Sequence, residues 1–184
     1  IKKEFTDIED YLASLELKMT IFEDDESIIP RMSQMTQKTN QFNLTTKRYT
    51  DGDIRNFIDD LDSNVYAFSV ADKFGDSGVT GLCIVSDNSK NESLEIDTLL
   101  MSCRIIGRNI ESAFMDYVIG KIKEKKIGEL KAKYIKTLKN YQVKEFYDKF
   151  GFKLVDRDES KVNYALSLMD YKPRKIKYIE VING

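Results

Sequence analysis

The spacing of the apolar residues changes within one stretch, Leu94 to Ile122, and this limits the chain to folds in which a strand runs straight into a helix. Leu94, Ile96, Thr98 and Leu100 alternate with Glu95, Asp97, Leu99 and Met101, which sends the two sets to opposite faces of a strand. From Ile110 the period lengthens: Ile110, Ala113, Phe114, Tyr117 and Val118 share one helical face. Between the two lies Arg104-Ile105-Ile106-Gly107-Arg108-Asn109. The glycine permits a sharp turn, and the first amides of the helix, around Ile110, have no intrahelical partner. A helix start of this kind favours a phosphate or pyrophosphate, and Arg104 and Arg108 add charge. The same six residues also suit a plain turn with solvated arginines.

Any such recognition must be local, because 29 Lys and Arg stand against 31 Asp and Glu and leave no global field for nucleic acid or a membrane. At 184 residues, 41% hydrophobic and 33% charged, the chain suits one folded domain. It has no run of membrane-spanning length, and Ile1-Lys2-Lys3-Glu4-Phe5 lacks a signal-peptide core, so the cytoplasm is the expectation. The first residue is not Met, so an excised domain or a missing start is expected. There is no histidine. Acid-base work therefore falls to carboxylates, Tyr, Lys, Cys or water. Cys83 and Cys103 sit in apolar, strand-like surroundings and are expected as buried free thiols; neither a disulfide nor a metal site is expected.

Along the chain, Phe5, Ile8, Tyr11, Leu12 and Leu15 mark a leading helix, expected as a linker over residues 1–16, with a strand near 17–22. Ser27 is the expected cap of the next helix, with Pro30 in its first turn and Ile28, Met32 and Met35 inward. The segment Gln34 to Tyr49 is dense in Gln, Asn and Thr with Phe42, Leu44 and Tyr49 interleaved; it suits a cleft lining or an ordered connector. Thr50 caps a helix with the face Ile54, Phe57, Ile58 and Leu61, and Asp51 and Asp53 are its first-turn acids rather than a phosphotransfer motif. A hairpin of strands at 65–71 and 79–85, a polar connector at 87–93, a strand at 130–135, a helix bearing Val143, Phe146, Tyr147 and Phe150, and strands at 152–155 and 162–168 complete the domain over 17–168. Residues 169–184 form a basic tail with a short apolar run, expected as an edge strand, a partner contact or a continuation.

Two signatures coincide. R-x-x-G-x-N at 104–109 resembles the acyl-CoA motif R/Q-x-x-G-x-G/A of the GNAT acyltransferases, with Asn109 in place of Gly or Ala. Some thirty residues on, N-x-x-x-x-x-F-Y-x-x-x-G-F at 140–152 resembles that fold's second signature. The resemblance implies an α/β (α+β) GNAT fold, a mixed central sheet flanked by helices. It implies contact of Asn140 with a pantetheine arm, and Tyr147 near the thiol sulfur. R-M-S-Q-M-T-Q-K-T-N-Q-F-N-L-T-T-K-R-Y, D-K-F-G-D-S-G-V-T-G, E-I-D-T-L-L-M-S-C-R-I-I-G-R and K-T-L-K-N further resemble the C-terminal part of FkbH-like proteins, with Lys136 where that family has Pro. In these a HAD-type phosphatase/glyceryltransferase domain precedes the GNAT-like one, and a three-carbon unit is loaded onto an acyl carrier protein for methoxymalonyl biosynthesis.

The resemblance thus implies acetyl-CoA, another acyl-CoA or carrier-protein phosphopantetheine as ligand, its phosphates on the turn from Arg104 through Ile105, Ile106, Gly107, Arg108 and Asn109 to Ile110. Its amides would add to strand edges opened by a splay beside the turn. Tyr147 could protonate the departing thiolate, or be a core residue. Glu95 and Asp97, the acids of the central strand, could take a proton, or be solvated or paired carboxylates. Cys103, beside Arg104 and the helix start, could carry a glyceryl thioester, or simply pack. Two functions follow: an acyltransferase domain, or a non-catalytic module that docks an acyl carrier protein for the upstream HAD-type domain.

Overall fold

The computed structural model describes residues 2–87 and 92–184, with side chains from residue 7. The side chain of Phe5 and most of the connector expected at 87–93 lie outside the described residues. Eight strands form one sheet: β1 (Leu17–Glu23), β2 (Ser63–Asp72), β3 (Gly75–Ser86), β4 (Ser93–Met101), β5 (Glu129–Ile135), β6 (Lys153–Arg157), β7 (Lys161–Ser167) and β8 (Ile179–Asn183). They lie in the order β6-β7-β5-β4-β3-β2-β1-β8. The β4–β5 and β1–β8 pairs are parallel and the others antiparallel, so the sheet is mixed.

Helices cover both faces. On one, α1 (Lys2–Ser14), α4 (Ile110–Glu124) and α5 (Phe146–Lys149) share a core with β1 to β5, where Leu12, Phe68, Leu99, Phe114 and Phe146 meet. On the other, α2 (Ile29–Lys38) and α3 (Asp51–Asp59) pack Met32, Met35 and Ile54 on Ala67, Leu82, Ile84 and Leu100. Leu15, just beyond the end of α1, and Ile179 of β8 belong to the same core as Leu17.

Several local expectations are corrected. Asp25, not Ser27, caps the turn that enters α2, accepting from the Ser27 amide at 2.9 Å. Thr50 does cap α3, in a reciprocal box with Asp53, but Leu61 lies beyond its end and is fully exposed. The helix expected around Val143 to Phe150 is a 3-10 turn, Tyr141–Val143, followed by the four residues of α5; the apolar stripe survives because all four marked residues are buried. Strand β7 is followed by β8, which pairs with β1 from Leu17↔Ile179 to Ile21↔Asn183.

The regular alternation of β4 fails at one residue. Ile84 pairs with Thr98 and Val85 with Ile96, so Asp97 is an extra residue, a bulge. The bulge reverses which side chains face which way. Leu94 and Ile96 share their core with Leu99 and Met101, while Leu100 joins the opposite one. Two large apolar residues on each side of Asp97 thus reach the face that α4 covers.

Candidate functional site

The turn between β4 and α4 is built from a 3-10 turn, Cys103–Ile105, and two residues with left-handed backbone: Gly107 at φ 98° and Asn109 at φ 60°. Asn109 gives α4 no side-chain cap; its Nδ2 donates instead to the Tyr178 hydroxyl at 2.6 Å. Ala113 is the residue whose amide returns to the Asn109 carbonyl. Ile105 is buried, and Ile106 is partly exposed. The two arginines differ. Arg108 is held by Asp72 at 3.0 Å, whereas Arg104 is exposed and its Nε lies 3.3 Å from the Ser102 hydroxyl.

A groove of about 380 Å³ opens beside this turn, between the start of α4 and α5. Its floor is aromatic, with Phe42, Phe146 and Phe150, and its charged groups are Lys149, Arg174 and Glu111. Arg174 stacks on Phe150 with its guanidinium carbon 4.3 Å from the ring centre. Neither Lys149 nor Arg174 has an ion pair among the described residues.

The two strands leading to the site part company early. Strands β4 and β5 pair only from Ser93↔Glu129 to Ile96↔Ala132, then diverge. The gap is not open. Residues Phe42 to Thr45 run through it: the Leu44 amide donates to the Leu99 carbonyl (3.1 Å), Met101 to Phe42 (3.0 Å) and Ile135 to Leu44 (2.8 Å). Asn140, fully buried, locks the arrangement from both ends of its side chain. Its Nδ2 donates to the carbonyls of Asn43 and Ile135, each at 2.9 Å, and its Oδ1 accepts from the Thr137 amide at 2.8 Å and the Tyr134 hydroxyl at 3.2 Å. The edge groups between these strands are therefore already paired within the chain. The splay is present, but the expected slot is occupied by part of the segment expected as a cleft lining or an ordered connector.

The remaining site candidates are dispersed. Tyr147 is 1% exposed, boxed by Phe146, Phe152 and Tyr164 with ring centres 5.0–5.6 Å away, and its hydroxyl has no hydrogen-bond partner among the described residues. Burial pushes this phenol well above its ordinary pKa, and it lines neither cleft beside the turn. Glu95 is paired with Lys133 at 3.1 Å. Asp97 binds the Lys47 ammonium (2.8 Å), the Tyr49 hydroxyl (2.6 Å) and the Thr98 hydroxyl (2.8 Å). Burial first, and then the Asp97 carboxylate, raise the Tyr49 pKa. Cys83 is buried, and burial raises its pKa as well. Cys103 is not buried, because the chain has left the strand at Met101; its Sγ donates to the Gln41 side chain at 3.1 Å. It lines a second cleft, about 560 Å³, with Arg31, Lys38 and Lys139. Gln41 lines this cleft and Phe42 the other, so the segment stands between them. Among the described residues no group of three or more His, Cys, Asp or Glu is placed to hold a metal, and no helix is long and apolar enough to cross a membrane.

Sequence reasoning missed Lys149, Arg174 and Tyr178 as neighbours of the turn. The last two belong to the basic tail, whose return to α4 is fixed by Asp116, which accepts from the Tyr171 hydroxyl and the Arg174 amide.

No protein-family model matches the chain, and no curated protein does. Solved structures do. The ribosomal-protein-S18-alanine N-acetyltransferase of Escherichia coli is 9% identical with a TM-score of 0.61, over 82% of this chain and 94% of that one. Ard1 from Thermoplasma volcanium is 19% identical with a TM-score of 0.60, over 81% and 97%. The Salmonella typhimurium protein yncA, solved with its cofactor acetyl-CoA, is 13% identical with a TM-score of 0.58, over 85% and 98%. At these identities the likeness is one of fold: a mixed sheet flanked by helices, as in the GNAT acetyltransferases.

Proposed function

We propose that this chain is a domain of acyl transfer that receives the phosphorylated, thiol-bearing arm of acetyl-CoA, another acyl-CoA or a carrier protein's phosphopantetheine at the start of α4. The observation that carries the reading is the groove in which Lys149, Arg174 and the uncapped first turn of α4 converge over an aromatic floor. The acetyl-CoA of the yncA structure supports the ligand class. The motif resemblance supports the setting: a cytoplasmic FkbH-like protein in which an upstream HAD-type domain loads a glyceryl unit and an acyl carrier protein brings the arm.

Within that setting, holding the arm fits the geometry better than transfer at Tyr147, because the phenol is enclosed and Asn140 has no hydrogen-bonding group to spare. The second reading, transfer by the domain itself, is favoured by Cys103, whose exposed thiol could accept an acyl group from a thioester and release the donor thiol. Titration calorimetry with CoA and with holo carrier protein tests the proposal. Binding is expected, weakened roughly tenfold or more by the pair Arg174→Glu and Lys149→Glu; no heat at millimolar ligand removes it. Intact-protein mass spectrometry of Cys103→Ser during turnover separates the two uses, since an acyl adduct that vanishes with the thiol establishes transfer.

A further inference from the structure

Where β4 and β5 diverge, the amides of Met101 and Ile135 and the carbonyl of Leu99 need partners, as any buried backbone group does. An extended, amide-bearing arm laid between the strands would supply them. This chain supplies them itself, through the Phe42 and Leu44 carbonyls and the Leu44 amide.

We infer that Phe42 to Thr45 is a built-in occupant of the gap, and that a pantetheine arm lies instead across the outer groove, with its phosphates at the start of α4, its amide chain over Phe42, Phe146 and Phe150, and its thiol outside the sheet. The ligand in this inference rests on the arm-binding reading above; the occupancy of the gap does not. The segment is buried and tied to the sheet by one isolated bridge, unlike a loop resting on a surface. Asn43 faces Leu100 in an antiparallel bridge, and Asn43 and Leu44 have no exposed surface. Both of its ends are tied. Before it, the Asn43 side chain donates to the Thr39 carbonyl at 3.2 Å and accepts from the Thr46 amide at 2.9 Å. After it, the Thr45 hydroxyl donates to the Asp97 carbonyl at 3.0 Å, Lys47 and Tyr49 hold the Asp97 carboxylate, and Arg48 bonds the Thr36 and Thr39 carbonyls at the end of α2. Asp97 can receive these groups because the bulge sets it off the regular ladder. Withdrawing the segment would strand the edge groups on both strands and the Asn140 side chain together. The acyl group of a bound arm accordingly remains outside this domain's core, where a partner domain can reach it.

Hydrogen exchange read by mass spectrometry or NMR, on the whole chain with and without millimolar CoA, tests this. The Leu44, Met101 and Ile135 amides are expected to exchange as slowly as core amides of β2 and β3, and CoA is expected to leave them so while protecting the start of α4. Rapid exchange of those amides in the free protein overturns the built-in occupant. Their deprotection on CoA binding shows that the arm displaces the segment, which overturns the inference while leaving arm binding intact. If CoA does not bind, as calorimetry reports independently, the arm-binding reading and the outer-groove placement fail together, and slow exchange in the free protein still upholds the occupant.

Discussion

Asn109 and Asn140 are two asparagines of the same motif set with opposite tasks. Asn109 is there for its backbone: at φ 60° and ψ 23° it occupies a conformation that most side chains resist and that Gly and Asn accept. Asn109→Gly is therefore expected to leave stability nearly unchanged, whereas Asn109→Val costs about 1–2 kcal/mol, as urea titration would show. Asn140 is there for its side chain. Asn140→Leu strips partners from two carbonyls and an amide around a fully buried side chain, at a cost of about 3 kcal/mol, and equal urea midpoints for the two proteins would refute the geometry. Tyr147→Phe should be neutral or stabilising by about 1 kcal/mol, since the buried hydroxyl it removes has no hydrogen-bond partner among the described residues; a fall in melting temperature would contradict this. Asp72 adds a pH dependence. The Phe74 amide first, then Arg108 and the Gly75 amide, hold its carboxyl below the ordinary 3.8. A lowered folded value stabilises the native state above the unfolded pKa and is lost as pH falls through the folded one, so the tie to Arg108 should loosen only in acid below that value. An Asp72 carboxyl midpoint at or above 3.8 in an NMR titration would contradict this. The motif spacing singled out Asn109 and Asn140, and Asn140 finds Tyr134, Ile135 and Thr137 close by in the chain, but Tyr178 lies 69 positions from Asn109 and Asn43 lies 97 from Asn140, which no local pattern encodes.

At the scale of elements, strands and helices were legible wherever one period ran unbroken, as in α4 and β5. The period misled at Asp97, because a bulge depends on the neighbouring strand and leaves no mark in its own. Around Val143 the apolar stripe was right and the continuous helix was not, since burial of the four residues needs only their placement. Gly81 is a similar silent feature. Phe68 of β2 lies across its Cα, and an added Cβ would stand 2.2 Å from the ring. Gly81→Ala is expected to cost about 1–3 kcal/mol through overpacking, measured as a lower melting temperature; an unchanged melt would mean that the ring swings aside freely. Leu44→Ala belongs at this scale too, because it hollows the segment that joins β4 to β5. A loss of about 2–5 kcal/mol is expected by urea titration, and a loss typical of a surface loop would show that the segment is merely draped over the sheet.

For the molecule as a whole, the sequence carried the fold class because its strongest signals, the strand-turn-helix unit and the second signature, describe the middle of the sheet. It carried the margins less well. The apolar run of the basic tail was expected as an edge strand, among other options, and β8 is one, but the tail gave no sign that Arg174 and Tyr178 return to the turn or that the neighbour of β8 would be β1. That last pairing has a consequence for how the molecule is made. The register Leu17↔Ile179 means that β1 gains its second neighbour only after about 160 further residues have been synthesised. Until then one side of β1 is an unprotected template for foreign strands, so slow translation or crowding of nascent chains is where this protein is most exposed to misassembly.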